Sequence, residues 1–147
     1  LEGKIKMMKR FDNSVSLTEV SENATRRQDQ YMNVYARGPL AVLCLDIRLR
    51  EMSGGKYGVQ ELIRDLLKKY GYGKPFKDDE LFAEMISVSG KTELGDFFAR
   101  FIAGKEDPPL REDLFKIGLS LDDAGRVRLM DHPSDQQLVL RKFLLGQ

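Results

Sequence analysis

The sequence predicts a mainly α-helical fold: a compact bundle of about five to six helices carrying a small β hairpin or an extended C-terminal appendage. Three observations carry that reading. Glycine punctuates the chain at Gly54-Gly55, Gly71, Gly90, Gly104 and Gly118, and between these marks apolar residues recur with helical spacing. Alternation of apolar and polar residues, the strand signature, is confined to the C-terminal end. The 147 residues, 41% apolar and 32% charged, fit one domain over 1–147, with a helical part at 15–119 and an extension at 120–147. A chain of this length buries roughly 68–70% of the surface its unfolded form exposes, enough for a core without staples.

Taken in order, Leu17–Gln30 is polar with helix-compatible spacing and is expected to cover a main helix. That main helix is Pro39–Met52, with Pro39 in its first turn, where a missing N–H costs nothing. Leu40, Leu43, Cys44 and Ile47 form its stripe, and Ala41, Val42 and Leu45 make its first half apolar nearly all round, the pattern of a buried helix. Gly54-Gly55 stops it. A second helix is expected over Val59–Tyr70, with Leu62, Ile63, Leu66, Leu67 and Tyr70 inward and Arg64, Asp65, Lys68 and Lys69 in water. After the loop Gly71–Lys77, Asp78 is placed as the N-cap of a short helix through Leu81, Phe82, Met85 and Ile86. Thr92–Ala103 and Leu110–Ile117 complete the helices. Gly118–Leu129 reads as a hairpin turning at Asp123-Ala124-Gly125, and Gln137–Leu145 fits either a strand or a short helix.

Composition removes several function classes. The 24 basic and 23 acidic side chains nearly cancel, which argues against a nucleic-acid partner. No stretch approaches the ~20 apolar residues of a membrane span, and Leu1–Arg10 has none of the features of a secretory signal. The start at Leu1 instead of methionine leads to the expectation of a piece of a longer protein, and the compartment stays open between periplasm and cytoplasm of a bacterium. The single cysteine, Cys44, lies in an apolar run and reads as a small buried hydrophobe. The single histidine, His132, sits beside Pro133 in a polar loop. One histidine cannot supply an H-E-x-x-H zinc site, and neither a C-x-x-C pair nor a phosphate-cradling G-x-x-x-x-G-K-[ST] loop is present. No metal ligand is therefore assigned in this chain.

The segment with chemical content is Tyr31-Met-Asn-Val-Tyr35-Ala-Arg37-Gly38, directly before the main helix. A tyrosine anchored there by its ring can point a hydroxyl into a cleft. With an unperturbed pKa near ~10, a phenol is protonated at neutral pH and can donate to a developing oxyanion. Spacing and composition alone favour the plainer reading, in which both rings simply pack on the helix.

Tyr35-Ala-Arg37-Gly38 and the following Pro39–Arg50 resemble the Tyr-x-Lys-Gly plus A-L-x-x-L-x-L-D-x-x-I-R segment of the glycyl aminopeptidase family. These are zinc metallopeptidases with a thermolysin-like catalytic domain, often followed by a PDZ domain. Leu40, Leu43, Leu45, Asp46 and Arg50 match, while Pro39 and Leu49 replace an alanine and an isoleucine. The similarity continues through Ser53–Lys56, Leu62–Gly71, Val88–Gly90, Leu94–Phe98, Phe101–Gly104 and Pro109–Leu119, so it covers 15–119. The resemblance implies the helical C-terminal part of the catalytic unit, inactive alone, with zinc ligands and the general-base glutamate in an upstream part that would be its partner. It implies a peptide substrate, Tyr35 as the catalytic oxyanion donor, and Tyr31, Arg37 and Gly38 along the substrate. Arg37 stands where the family has lysine. The competing reading, from a different class, is a helical protein- or DNA-binding module built on the Arg64/Lys68/Lys69 face. A third is a scaffold that has kept the fold and lost catalysis.

Overall fold

The computed structural model describes residues 1–146, and among them are eight α-helices and one two-stranded hairpin. The helices are α1 (Glu2–Met8), α2 (Leu17–Glu22), α3 (Gln28–Met52), α4 (Val59–Lys69), α5 (Leu81–Ser89), α6 (Leu94–Phe101), α7 (Leu110–Lys116) and α8 (Asp135–Leu144). Strands β1 (Leu119–Leu121) and β2 (Val127–Leu129) pair antiparallel with Leu119 opposite Leu129. The predicted mainly helical fold with a small hairpin is therefore what the chain adopts. Helix α3 is the axis: α1, α2, α4, α7 and α8 all pack on it, and α5 and α6 pack on each other. The core runs from Leu40, Cys44 and Ile47 to Leu62, Leu94, Phe97, Leu114 and Leu140.

Helix α3 corrects the expected start at Pro39. It begins at Gln28 and runs for 25 residues, with Pro39 in its interior. A proline there has no N–H for the carbonyl four residues back and crowds it, which ordinarily ends a helix. Here the carbonyl of Tyr35 is satisfied from outside the helix. Lys4 Nζ, brought in by α1, donates to it at 2.6 Å. Helix α1 itself went unanticipated, although Ile5 and Met8, one turn apart, are its buried residues. It is tied to the hairpin, with Val127 N–H donating to Glu2 Oε1 at 2.8 Å and Lys9 Nζ to the Asp123 carbonyl at 2.8 Å.

The polar segment expected as one helix over Leu17–Gln30 is split. Ser16 caps α2 by accepting from Glu19 N–H, and Asn23 closes it, its side-chain amide donating to the Glu19 carbonyl at 3.1 Å. An asparagine that bonds its own backbone this way offers an alternative to continuing the helix. Asp78, expected to cap α5, makes no side-chain cap bond; it lies in a 3-10 turn, Asp78–Glu80, that leads into α5. Gly90, at φ 64°, ends α5 in the left-handed conformation where glycine is favoured. The ambiguous Gln137–Leu145 segment is helix α8, decided by Ser134, which accepts from Gln137 N–H while the Gln137 side chain accepts from Ser134 N–H.

The α3–α4 joint explains the Asp46 and Arg50 of the motif. One oxygen of Asp46 accepts from Val59 N–H at 2.6 Å, capping α4, and the other accepts from Arg50 Nε at 2.9 Å. Arg50 in turn donates to the Gly55 carbonyl at 3.0 Å. Gly58 lies against this pair, and a methyl there would collide with both side chains. Asp46→Ala removes a cap and an ion pair together and is expected to destabilise the chain by about 2 kcal/mol, the upper range for a lost cap. Urea unfolding of the variant measures it, and a loss within error of zero would refute this account of the joint.

Cys44 is fully buried on α3, as the apolar run implied. Burial, reinforced by the neighbouring Asp113 carboxylate, pushes its thiol far above the usual range. A thiol held in that form is a poor nucleophile. Cys44 is expected to resist a thiol reagent in the folded chain and to react fully once denaturant unfolds it; rapid labelling under native conditions would contradict this packing.

Candidate functional site

Tyr31 and Tyr35 lie on the first half of α3, one turn apart, with their rings edge to face and centroids 5.5 Å apart. Their hydroxyls share a hydrogen bond of 3.1 Å. That bond, followed by the charge Tyr35 would carry, raises the pKa of Tyr31, so its hydroxyl stays protonated well above neutrality. The two rings do not pack into the core. Tyr31 is 41% and Tyr35 49% exposed, so both hydroxyls are open to an incoming group.

Arg37, expected beside the tyrosines along a substrate, points the opposite way. Its side chain has 0% exposure, packed under the loop between α6 and α7. One guanidinium nitrogen donates to the Glu106 carbonyl, and Asp107 lies 3.8 Å from Nε. Burial lowers the Arg37 pKa and the Asp107 charge only partly opposes that shift. Gly38, between them, is an ordinary helical residue with open space where a Cβ would stand, so no close approach requires it. The structure thus brings Tyr31 and Tyr35 together and sends Arg37 to the other side of the helix.

The placement exposes an inversion of polarity that spacing arguments missed. Over its first three turns α3 buries Gln30, Asn33 and Arg37 beside the small Ala36 and presents Tyr31, Met32 and Tyr35 to solvent, with Pro39 and Val42 continuing the same outer stripe. A helix of a stand-alone globule has the reverse arrangement. Helix α4 shows a weaker version: Ile63 and Leu67, expected inward, are largely exposed. Helix α4 packs more on α5 than on α3, and Leu62 is its one buried residue. The basic residues of α4 are each matched to an acid, Arg64 to Glu61, Lys68 to Asp65 and Lys69 to Glu84.

Two further features went unforeseen. On the opposite side of α3, Asp113 of α7 is wholly buried and accepts from Arg48 Nε through both oxygens, at 3.0 and 2.9 Å. Lys116 stands 3.5 Å from the same carboxylate and 2.6 Å from Glu51. Burial raises the Asp113 pKa, against the pull of Arg48 and Lys116. The second is a groove of about 810 Å³ between α1, α7 and the hairpin, floored by Ile5, Leu110, Leu119 and Leu121 and overlooked by Phe115. Neither tyrosine borders it. No single-sequence signal marks either feature, since both join residues far apart in the chain.

Among the described residues no group of three or more His, Cys, Asp or Glu side chains is placed to hold a metal ion. The two phenols beside the candidate site do not make a zinc donor set, so the residues of this chain do not fit the ion by themselves. No protein-family description, curated protein or solved structure matches the chain.

Proposed function

We propose that this chain is the helical C-terminal part of the catalytic unit of a zinc-dependent aminopeptidase, where it forms one wall of the substrate cleft and supplies Tyr35 as a hydrogen-bond donor. The observation that carries the reading is the inverted polarity of α3: Tyr31, Met32, Tyr35, Pro39 and Val42 face outward along one stripe. Contiguous exposed apolar surface marks a face that another layer covers. The upstream part of the same catalytic unit is that layer. Tyr35 stands on this stripe with its hydroxyl exposed, at the position where the Tyr-x-Lys-Gly resemblance expects an oxyanion donor.

In this reading the ion and the general base come from upstream residues, and this chain contributes positioning and one donor. A phenol O–H aimed at the scissile carbonyl oxygen strengthens its hydrogen bond as negative charge builds there, which lowers the barrier without any proton leaving the tyrosine. Tyr31 orients that hydroxyl through the 3.1 Å bond between the two. Arg37 then lies on the inner side of the helix that bears the tyrosines and makes no contact with substrate. By itself the chain is expected to be inactive on peptides. The test is the reading frame upstream of Leu1 in the source gene. An H-E-x-x-H followed by a further glutamate is expected there; a frame that holds no such motif would end the proposal and leave a helical binding module or a silent scaffold.

A further inference from the structure

The first ten residues of α3, Gln28–Arg37, are poorly matched to their seat on both sides. On the buried side, Gln30 Oε1, Asn33 Oδ1 and both Nε and Nη1 of Arg37 are enclosed without a hydrogen-bond partner. Polar groups enclosed without partners penalise the arrangement that encloses them. On the outer side, Tyr31, Met32 and Tyr35 lie in water. Four of the five such orphaned atoms among the described residues belong to this stretch, and the fifth, Arg27 Nε, is at its N-cap. On the buried side the mismatch ends at Arg37, while the outer stripe continues through Pro39 and Val42. From Leu40 onward α3 buries Leu40, Ala41, Cys44, Leu45 and Ile47, with no orphaned polar atom.

The boundary coincides with the weakest point of the helix. Gly38 is the freest residue in φ and ψ, and Pro39 supplies no N–H to hold the turn before it. The Tyr35 carbonyl, which Pro39 cannot serve, takes a bond from Lys4, whose exposed side chain reaches in from another helix. We infer that Gln28–Arg37 is a hinged arm: it swings about Gly38–Pro39 between the docked helix seen here and an open state in which Arg37, Asn33 and Gln30 reach water. The arm carries Tyr31 and Tyr35, so its position sets where both hydroxyls point. This inference rests on α3 and the Lys4 bond to it, and holds whether or not the chain is part of a peptidase.

Amide hydrogen exchange on the full 147-residue chain tests it, read residue by residue. The amides of α3 before Gly38 are expected to exchange as one group, at least about tenfold faster than those after Leu40, with a step at Gly38–Pro39. Restoring the helix at the hinge with Gly38→Ala and Pro39→Ala should slow the arm by roughly fivefold or more, since an interior glycine and proline are the costliest helical residues. Lys4→Met, which removes the outside donor, should speed the arm and leave Cys44–Met52 unchanged. Gradual loss of protection from Gln28 inward, indifferent to Gly38→Ala and Pro39→Ala, would mean simple end fraying and overturn the hinge. Arm amides as protected as those of Cys44 would overturn it as well.

Discussion

Asp113→Ala should destabilise the chain by about 3 kcal/mol, the low end of the cost of breaking a buried ion pair. The carboxylate has no exposure, and it accepts from Arg48 through both oxygens while Lys116 stands alongside. Removing it leaves a guanidinium that lies over the Phe97 and Phe101 rings, 5.5 and 5.8 Å from its centre. The loss stays at the low end because Arg48 keeps a second acid, Glu112, at 3.3 Å near the surface. For a chain of this size a change of that order lowers Tm by roughly 6–12 °C. Calorimetry or urea unfolding measures it, and a loss below about 1 kcal/mol would show that this carboxylate contributes little to holding α3 and α7 together. The pH dependence has a definite sign. Burial raises the folded pKa of Asp113 above its ordinary value, so the native state holds this proton more tightly than the unfolded chain. Its contribution therefore declines as pH rises from the ordinary carboxylate range through the raised folded value. Asp113→Asn, which keeps the shape and cannot titrate, is expected to remove that slope.

Tyr35→Phe in the complete, active enzyme is expected to lower kcat by about 10²–10³, the cost of deleting one donor to an oxyanion. KM should change little, because the bond is made mainly as charge develops and adds little to ground-state binding. The ring is half exposed and the hydroxyl's one partner is Tyr31, so the fold should keep its Tm. Tyr31→Phe should cost much less, since Tyr31 only orients its neighbour. An unchanged kcat in a folded Tyr35→Phe enzyme would take Tyr35 out of the chemistry. A fall in kcat accompanied by a fallen Tm would point to packing instead.

How much of this was legible in advance depends on the range of the interactions involved. The stretches Val59–Tyr70, Leu81–Gly90, Thr92–Ala103 and Leu110–Ile117 were placed within a few residues, because apolar spacing and terminal glycines are local signals that act within one or two turns. The hairpin at Asp123-Ala124-Gly125 was equally plain, as Gly125 sits at φ 79° where the turn requires it. The same local rules placed Pro39 at the start of α3 and failed, since the donor that replaces its missing N–H at the Tyr35 carbonyl is Lys4, 31 residues before Tyr35. The family resemblance implied Arg37 along the substrate beside the tyrosines, and it is buried under Glu106 and Asp107.

By itself the sequence determined the helical class, the glycine-bounded elements, the buried thiol and the two neighbouring tyrosines, all consequences of side-chain period and backbone freedom. Only the tertiary structure decided which face of α3 is inside. The period of a helix specifies that two faces exist, and the choice between them follows from what packs alongside. Here Asp12 meets Gln30 and the α6–α7 loop covers Arg37 on the polar side, so Tyr31, Met32 and Tyr35 are left outward.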